Sequence, residues 1–303
     1  MSEHYPRIRP GAESGYLLFR EGLNLSFYMR RAHVEVASAV MRALEVYLRA
    51  TGPQVLGQYA NDEGYWLPLD AAGWETTRRD FFETQGTVVH LIEPEGREMR
   101  YGFEYYGKPL HAPSWSNETR AVSAVSFWLP TEFLEQHGPA WVRELAVELA
   151  TLLPFCSGHA GLAFHGELNL LGVMPEVQKY CFRYPGLDIP YLGSISQALG
   201  PRVRGISWLN FLGQPVLGEL GGASALRARL HSPGTSVQEL EGERAVVTLG
   251  AWPEAGDTQR GEQLPAYREL ARVLEPWLFF EERGFHPDFP PEVKRRWERR
   301  FLD

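Results

Sequence analysis

The chain has 303 residues, and 30 Lys+Arg against 38 Asp+Glu give it a net charge of −8. With 44% apolar and 22% charged residues it has an ordinary globular make-up, which excludes a disordered, collagen-like or cysteine-stapled chain. No window approaches the roughly 18 consecutive apolar residues of a membrane span, and the acidic balance speaks against general nucleic-acid binding while suiting a basic protein partner.

The start, MSEHYPRIRPGAESG, is polar and rich in Pro and Gly. Residues 1–15 are therefore expected to be a flexible segment with no signal peptide. GYLLFREGLNLSFYM reads as two short strands around a turn at Glu21 and Gly22. Val36, Val40, Leu44, Tyr47 and Leu48 recur at helical spacing, with Gly52 and Pro53 as the stop. QYANDEGYWLPLDAAG reads as a loop, Trp74 to Phe82 as a short helix closed by Gly86, and TVVHLIEPEGREMRYGFEYYG as a hairpin about a Pro-Glu-Gly turn.

AVSAVSFWL is a strand ended by Pro130. Gly138 and Pro139 open a helix with Trp141, Leu145, Leu149, Leu152 and Leu153 on one face, and HAGLAFHG follows as a strand. VRGISWLNFLG, GGASALRARL and ERAVVTLG repeat the strand–helix–strand order, which suggests an internal duplication of 122–166 in 203–250. A further helix runs from Pro265 through Leu278. The end, 290–303, reads as a basic helix whose Lys294, Arg295, Arg296, Arg299 and Arg300 outweigh Glu292, Glu298 and Asp303. Trp297 and Phe301 lie on one of its faces and are expected to dock on the body while the arginines stay in water. With no linker between the halves, the fold class is α+β: one domain over 16–289, a mixed or antiparallel sheet packed with amphipathic helices.

Chemical motifs are absent. The glycine cluster Gly213, Gly218, Gly221 and Gly222 matches no phosphate-binding loop, and there is no H-E-x-x-H, G-x-S-x-G or EF-hand segment. His165 and Glu167 have the H-x-E spacing of zinc deaminases, but the P-C-x-x-C partner is missing. Cys156, His159 and His165 are the one candidate for nucleophilic catalysis, and a buried cysteine with turn histidines explains them equally. Glu281–Glu282 and Glu93/Glu95 read as solvated charged turns. No metal site and no cofactor is expected. With two cysteines and nothing to pair them, a reducing cytoplasm is the expected location.

What stands out is aromatic and acidic residues mixed in loops: Tyr59, Asp62, Glu63, Tyr65 and Trp66; Tyr184, Asp188 and Tyr191; Trp252, Glu254 and Asp257. Rings beside carboxylates suit contact with a basic partner. The candidate partner-binding residues are Tyr59, Asp62, Glu63, Tyr65, Trp66, Asp188, Trp252, Glu254 and Asp257.

Several segments together, among them GLNLSFYMRRAHVEVASAVMRALEVYL, AVSFWLPTEFLEQHGPAWVRELAVELATLLPF, CFRYPGLDIP and FLGQPVLGELGGASALRARL, resemble the type VI secretion immunity (TsiV-type) family over roughly residues 16–280. The resemblance implies a non-enzymatic, cytoplasmic immunity protein. Such a protein binds an antibacterial effector, a nuclease of the VRR-Nuc type, and covers its active site, with no direct contact to nucleic acid or membrane. It transfers no contact residue position by position and sets no oligomeric state. Two other readings stay open: an enzyme using Cys156 with His159 or His165, and a scaffold working through the C-terminal helix.

Overall fold

The computed structural model describes residues 4–94, 98–115, 118–281 and 289–303. In chain order it runs β1 (Phe19–Met29), α1 (His33–Thr51), a hairpin of β2 (Gln58–Ala60) and β3 (Trp66–Pro68), α2 (Ala71–Phe82), β4 (Thr87–Ile92), β5 (Gly102–Gly107), β6 (Ser123–Pro130), α3 (Thr131–His137) and α4 (Pro139–Leu152). Then come β7 (Ser157–Gly166), α5 (Val173–Cys181), α6 (Leu192–Ala198), β8 (Leu209–Leu212), α7 (Val216–Glu219), α8 (Gly222–Arg227), β9 (Thr235–Leu240), β10 (Arg244–Leu249), α9 (Pro265–Leu274) and α10 (Pro291–Glu298). The ten strands form one sheet in the order β3-β2-β4-β5-β6-β1-β7-β8-β10-β9, every neighbouring pair antiparallel.

β1 is one continuous strand with all eleven residues buried, where two strands around Glu21 and Gly22 are expected. Gly22 pairs with Pro130 on one side and Ala163 on the other, so no turn is needed to satisfy its backbone. Glu21 stays inside because Arg7, Arg9 and Arg20 all reach its carboxylate, at 3.3, 2.9 and 3.7 Å. The same contacts tie down the chain start, expected to be flexible. Tyr5 and Ile8 are buried, and Ile8 N–H donates to Glu21 Oε2 at 2.9 Å.

Alternation along the strands divides the sheet into two unlike faces. Leu25, Phe127 and Phe103 are register partners on one face, joined by Leu23, Phe27, Val125, Tyr105 and Leu91 in the main core. Over them lie α1, through Val36, Val40, Leu44 and Tyr47, and α4, through Val142, Leu145, Ala146 and Leu149. Each such side chain is worth about 1.5–3 kcal/mol of burial. The buried stripe of α4 is thus turned slightly from the expected one: Trp141 packs at its side, edge-on to Phe133 of α3.

The other face carries polar residues in the middle. Asn24, Ser26 and Ser126 hydrogen-bond one another and are buried. At the β8–β10 end α7, α8 and α9 cover this face with a second core around Leu212, Val247, Leu226 and Leu270. α6 covers its centre, packing Leu192, Ile195 and Leu199 on Tyr28 and Ala124. Towards β5 and β4 no helix of the described residues closes over it beyond the edge of α6, and a cleft remains.

The two strand–helix–strand stretches share this sheet but are wired differently. β6 and β7 flank β1 and so run parallel to each other, whereas β8 and β10 pair directly and antiparallel. The topology lends no support to a duplication. The C-terminal helix is part of the core: Trp297 and Phe301 are buried, as expected, but so is Lys294, and Arg300 reaches Asp188 at 3.2 Å with little exposure. Of the expected water-facing arginines, Arg295 and Arg296 are the exposed ones.

Candidate partner-binding face

The segment read as a loop is the β2–β3 hairpin, and its tip is stiff. Asn61 Oδ1 accepts from the backbone N–H of Glu63 (3.1 Å) and Tyr65 (2.8 Å), and Gly64 takes the left-handed conformation (φ 83°) that the turn requires. Asp62, Glu63, Tyr65 and Trp66 are all exposed, Tyr65 at 65% and Trp66 at 42%. β3 is the edge strand of the sheet, so its outer backbone is also free of a neighbouring strand. Tyr59 pairs with Leu67 and Ala60 with Trp66. Tyr59 and Trp66 therefore point to opposite faces: Tyr59 packs under α2 against Gly73, and Trp66 stands at the rim of the cleft. Burial and the nearby Asp62 push the Asp80 carboxyl of α2 upward, against the pull of Arg79.

The remaining candidates form a second group. Trp252 stacks on His4 (centroids 4.7 Å apart), and Glu254 meets the same ring at 2.6 Å. Asp257 receives both Nε and Nη2 of Arg183 at 3.0 and 2.7 Å and also caps the backbone at Gln259. Asp188 lies between Arg300 and Arg204. Burial alone would raise its carboxyl, but the two guanidinium groups hold it down at about 2. The carboxylates of Asp188 and Asp257 are thus turned inward, while the hairpin presents its own outward.

Cys156, His159 and His165 do not assemble a nucleophile. The Cys156 thiol lies 3.2 Å from the Tyr28 carbonyl, to which it donates, and burial pushes its pKa up, opposite to what a reactive thiol needs. Burial also keeps His159 and His165 neutral, at about 4 and about 3. Nor are the paired carboxylates solvated turns: Glu93 is buried and binds Arg100, and Glu281 faces Lys294. Glu95, Glu282 and the Gly96 of the hairpin turn lie outside the described residues. Among the described residues no three His, Cys, Asp or Glu side chains converge as metal ligands, and no helix is long and apolar enough to cross a membrane.

The cleft on the open sheet face, about 340 Å³, was not anticipated. Its floor is built from alternate strand residues: His90 on β4, Glu104 and Tyr106 on β5, Trp128 on β6 and His165 on β7. The Trp128 and His165 rings stack 4.0 Å apart and 6° from parallel. Gly102 leaves room beside them, since a Cβ there would sit 3.4 Å from the indole. Trp128 Nε1 donates to Glu104 Oε1 (3.0 Å), and His90 Nε2 meets the Tyr106 hydroxyl (2.9 Å). Tyr191 and Gly193, entering α6, form one wall. The signal for these residues was present in GFEYYG and SFWLP, where polar groups alternate with core ones, but which strands are neighbours is not written in either segment.

The fold is that of a single α+β domain. The family described as type VI immunity for VRR-NUC, TsiV, matches residues 39–301, and the chain belongs to it. Its fold is also that of the Pseudomonas aeruginosa T6SS protein PA0821, with a TM-score of 0.80 and 19% identity over 98% of this chain and 88% of that one. No curated protein matches in sequence.

Proposed function

We propose that this protein binds its cognate VRR-Nuc effector in the cytoplasm of the producing cell and blocks the nuclease sterically, without catalysis of its own. Membership of the immunity family over 39–301 carries this reading. The acidic and aromatic hairpin suits it. A nuclease holds its substrate through phosphate-binding Lys and Arg, and the carboxylates Asp62 and Glu63 offer those groups an alternative partner, with Tyr65 and Trp66 as rigid anchors. A stiff tip loses little entropy on binding. A tight block needs about 1,600 Å² of interface, more than the hairpin alone supplies, so the neighbouring open face is included in the contact.

The test is co-expression with each open reading frame that flanks its gene. A single stoichiometric partner, toxic when expressed alone and harmless with this protein, is the expected outcome. Toxicity unaffected by co-expression would refute the immunity role.

A further inference from the structure

Several buried and half-buried carboxylates of the described residues meet a cation, whereas Glu104 and Glu167, which line the cleft, form no ion pair among those residues. Glu21 is met by three arginines, Asp188 by Arg204 and Arg300, Asp257 by Arg183, Glu93 by Arg100 and Glu254 by His4. Glu104 has Trp128 Nε1 on one oxygen and no cation within reach among the described residues, and neither Lys nor Arg lines the cleft. The side chain is nonetheless fixed, because the indole that holds it is itself clamped by the His165 stack. The rings of Tyr106, Tyr191 and Trp66 line the same cleft.

We propose that this cleft takes one basic side chain, an arginine or lysine from the nucleic-acid-binding surface of the effector, with Glu104 as its counter-ion. The proposal rests on the immunity reading above and adds where the central contact is made. A carboxylate set among aromatic faces is what a guanidinium or ammonium group recognises, through a charge-assisted hydrogen bond and cation–π contact. It also imitates the natural ligand of such a surface: the carboxylate replaces the phosphate, and the rings replace the bases. His165 stays neutral and adds no opposing charge to the floor. The hairpin, whose Trp66 forms the rim, makes the cleft continuous with the acidic corner at Asp62 and Glu63.

The experiment measures binding to a catalytically inactive form of the VRR-Nuc effector identified by co-expression, for wild type, Glu104→Gln and Asn169→Arg, with melting temperatures alongside. Glutamine still accepts from Trp128, so Glu104→Gln is expected to keep its melting temperature and to weaken binding at least about tenfold, chiefly through a faster off-rate. Its binding should also depend less on salt. Asn169 is exposed at the mouth of the cleft, and an arginine there brings the protein's own cation to the site, with a similar loss expected. If Glu104→Gln melts early, Asn169→Arg decides. Wild-type binding with both variants unchanged overturns the cleft proposal and leaves the immunity reading standing. Failure of the wild type to bind removes both.

Discussion

Asp62, Glu63, Tyr65 and Trp66 differ from Trp252, Asp188 and Asp257 in what they already touch. The Trp66 ring stands at an exposed edge, whereas Trp252 covers His4 and Asp257 holds Arg183. Trp66→Ala is therefore expected to cost at least about 2 kcal/mol of effector binding with an unchanged melting temperature. Trp252→Ala should lower the melting temperature first. Titration calorimetry beside thermal melts separates the two, and neutral binding for Trp66→Ala would move the contact off the hairpin.

Buried titratable groups make a separate prediction. His159 is neutral in the fold: burial pushes it down to about 4, with Arg204 and Arg300 adding to that and Asp188 opposing it. The unfolded chain takes up its proton near the ordinary value of 6.5, so the folded state binds fewer protons between the two values. Stability is then full above about 6.5 and falls as the pH drops towards 4, by up to about 1.4 kcal/mol per pH unit for such a histidine. Asp188 acts in the same direction lower down, losing its contribution as the pH falls from 3.8 towards about 2. His159→Gln should flatten the upper part of this profile, measured as denaturant midpoints from about pH 7 to 4.5. An unaltered slope would show that His159 is not the group responsible.

At the scale of elements, α10 belongs to the body. It inserts Trp297 and Phe301, and its neighbour Arg300 donates to the Pro185 carbonyl at 2.8 Å as well as pairing with Asp188. Burial pushes the Arg300 guanidinium down to about 10, against the pull of Asp188. Removing residues 290–303 empties two aromatic sites and leaves Asp188 with Arg204 alone at 3.8 Å. A drop in melting temperature of about 10 °C or more is expected. A truncated chain that melts normally but has lost function would instead favour a scaffold working through this helix.

The elements legible in the sequence are those whose packing repeats along one segment. α1 shows its buried stripe over five turns, and the β4–β5 hairpin and α9 also declare themselves. α5, α6 and β9 do not. α6 is seven residues, LGSISQA, and packs so closely on the Tyr106 ring that a Cβ at Gly193 would lie 2.9 Å from it, a fact of tertiary contact. β2 and β3 are too short to show alternation. Glu21 reads as a turn residue until Arg7 and Arg9, twelve to fourteen positions away, are known to cover it. The same limit applies to the site. The hairpin residues could be picked out by composition, whereas the cleft floor, from His90 on β4 to His165 on β7, needs five strands side by side.

At the scale of the molecule, one sheet carries packed cores on both faces. One face, under α1 and α4, holds the main core; the other holds the second core under α7, α8 and α9, and its open part towards β4 and β5, with the edge hairpin, is the contact we propose. A net charge of −8 draws such a protein towards a basic surface and keeps it away from the nucleic acid that surface binds. Steric inhibition is measured most directly by competition. The inactive effector is loaded with labelled DNA and titrated with this protein. DNA is expected to be released as a one-to-one protein complex forms, with no species containing all three. A stable ternary complex, with the DNA still bound, would contradict a steric block.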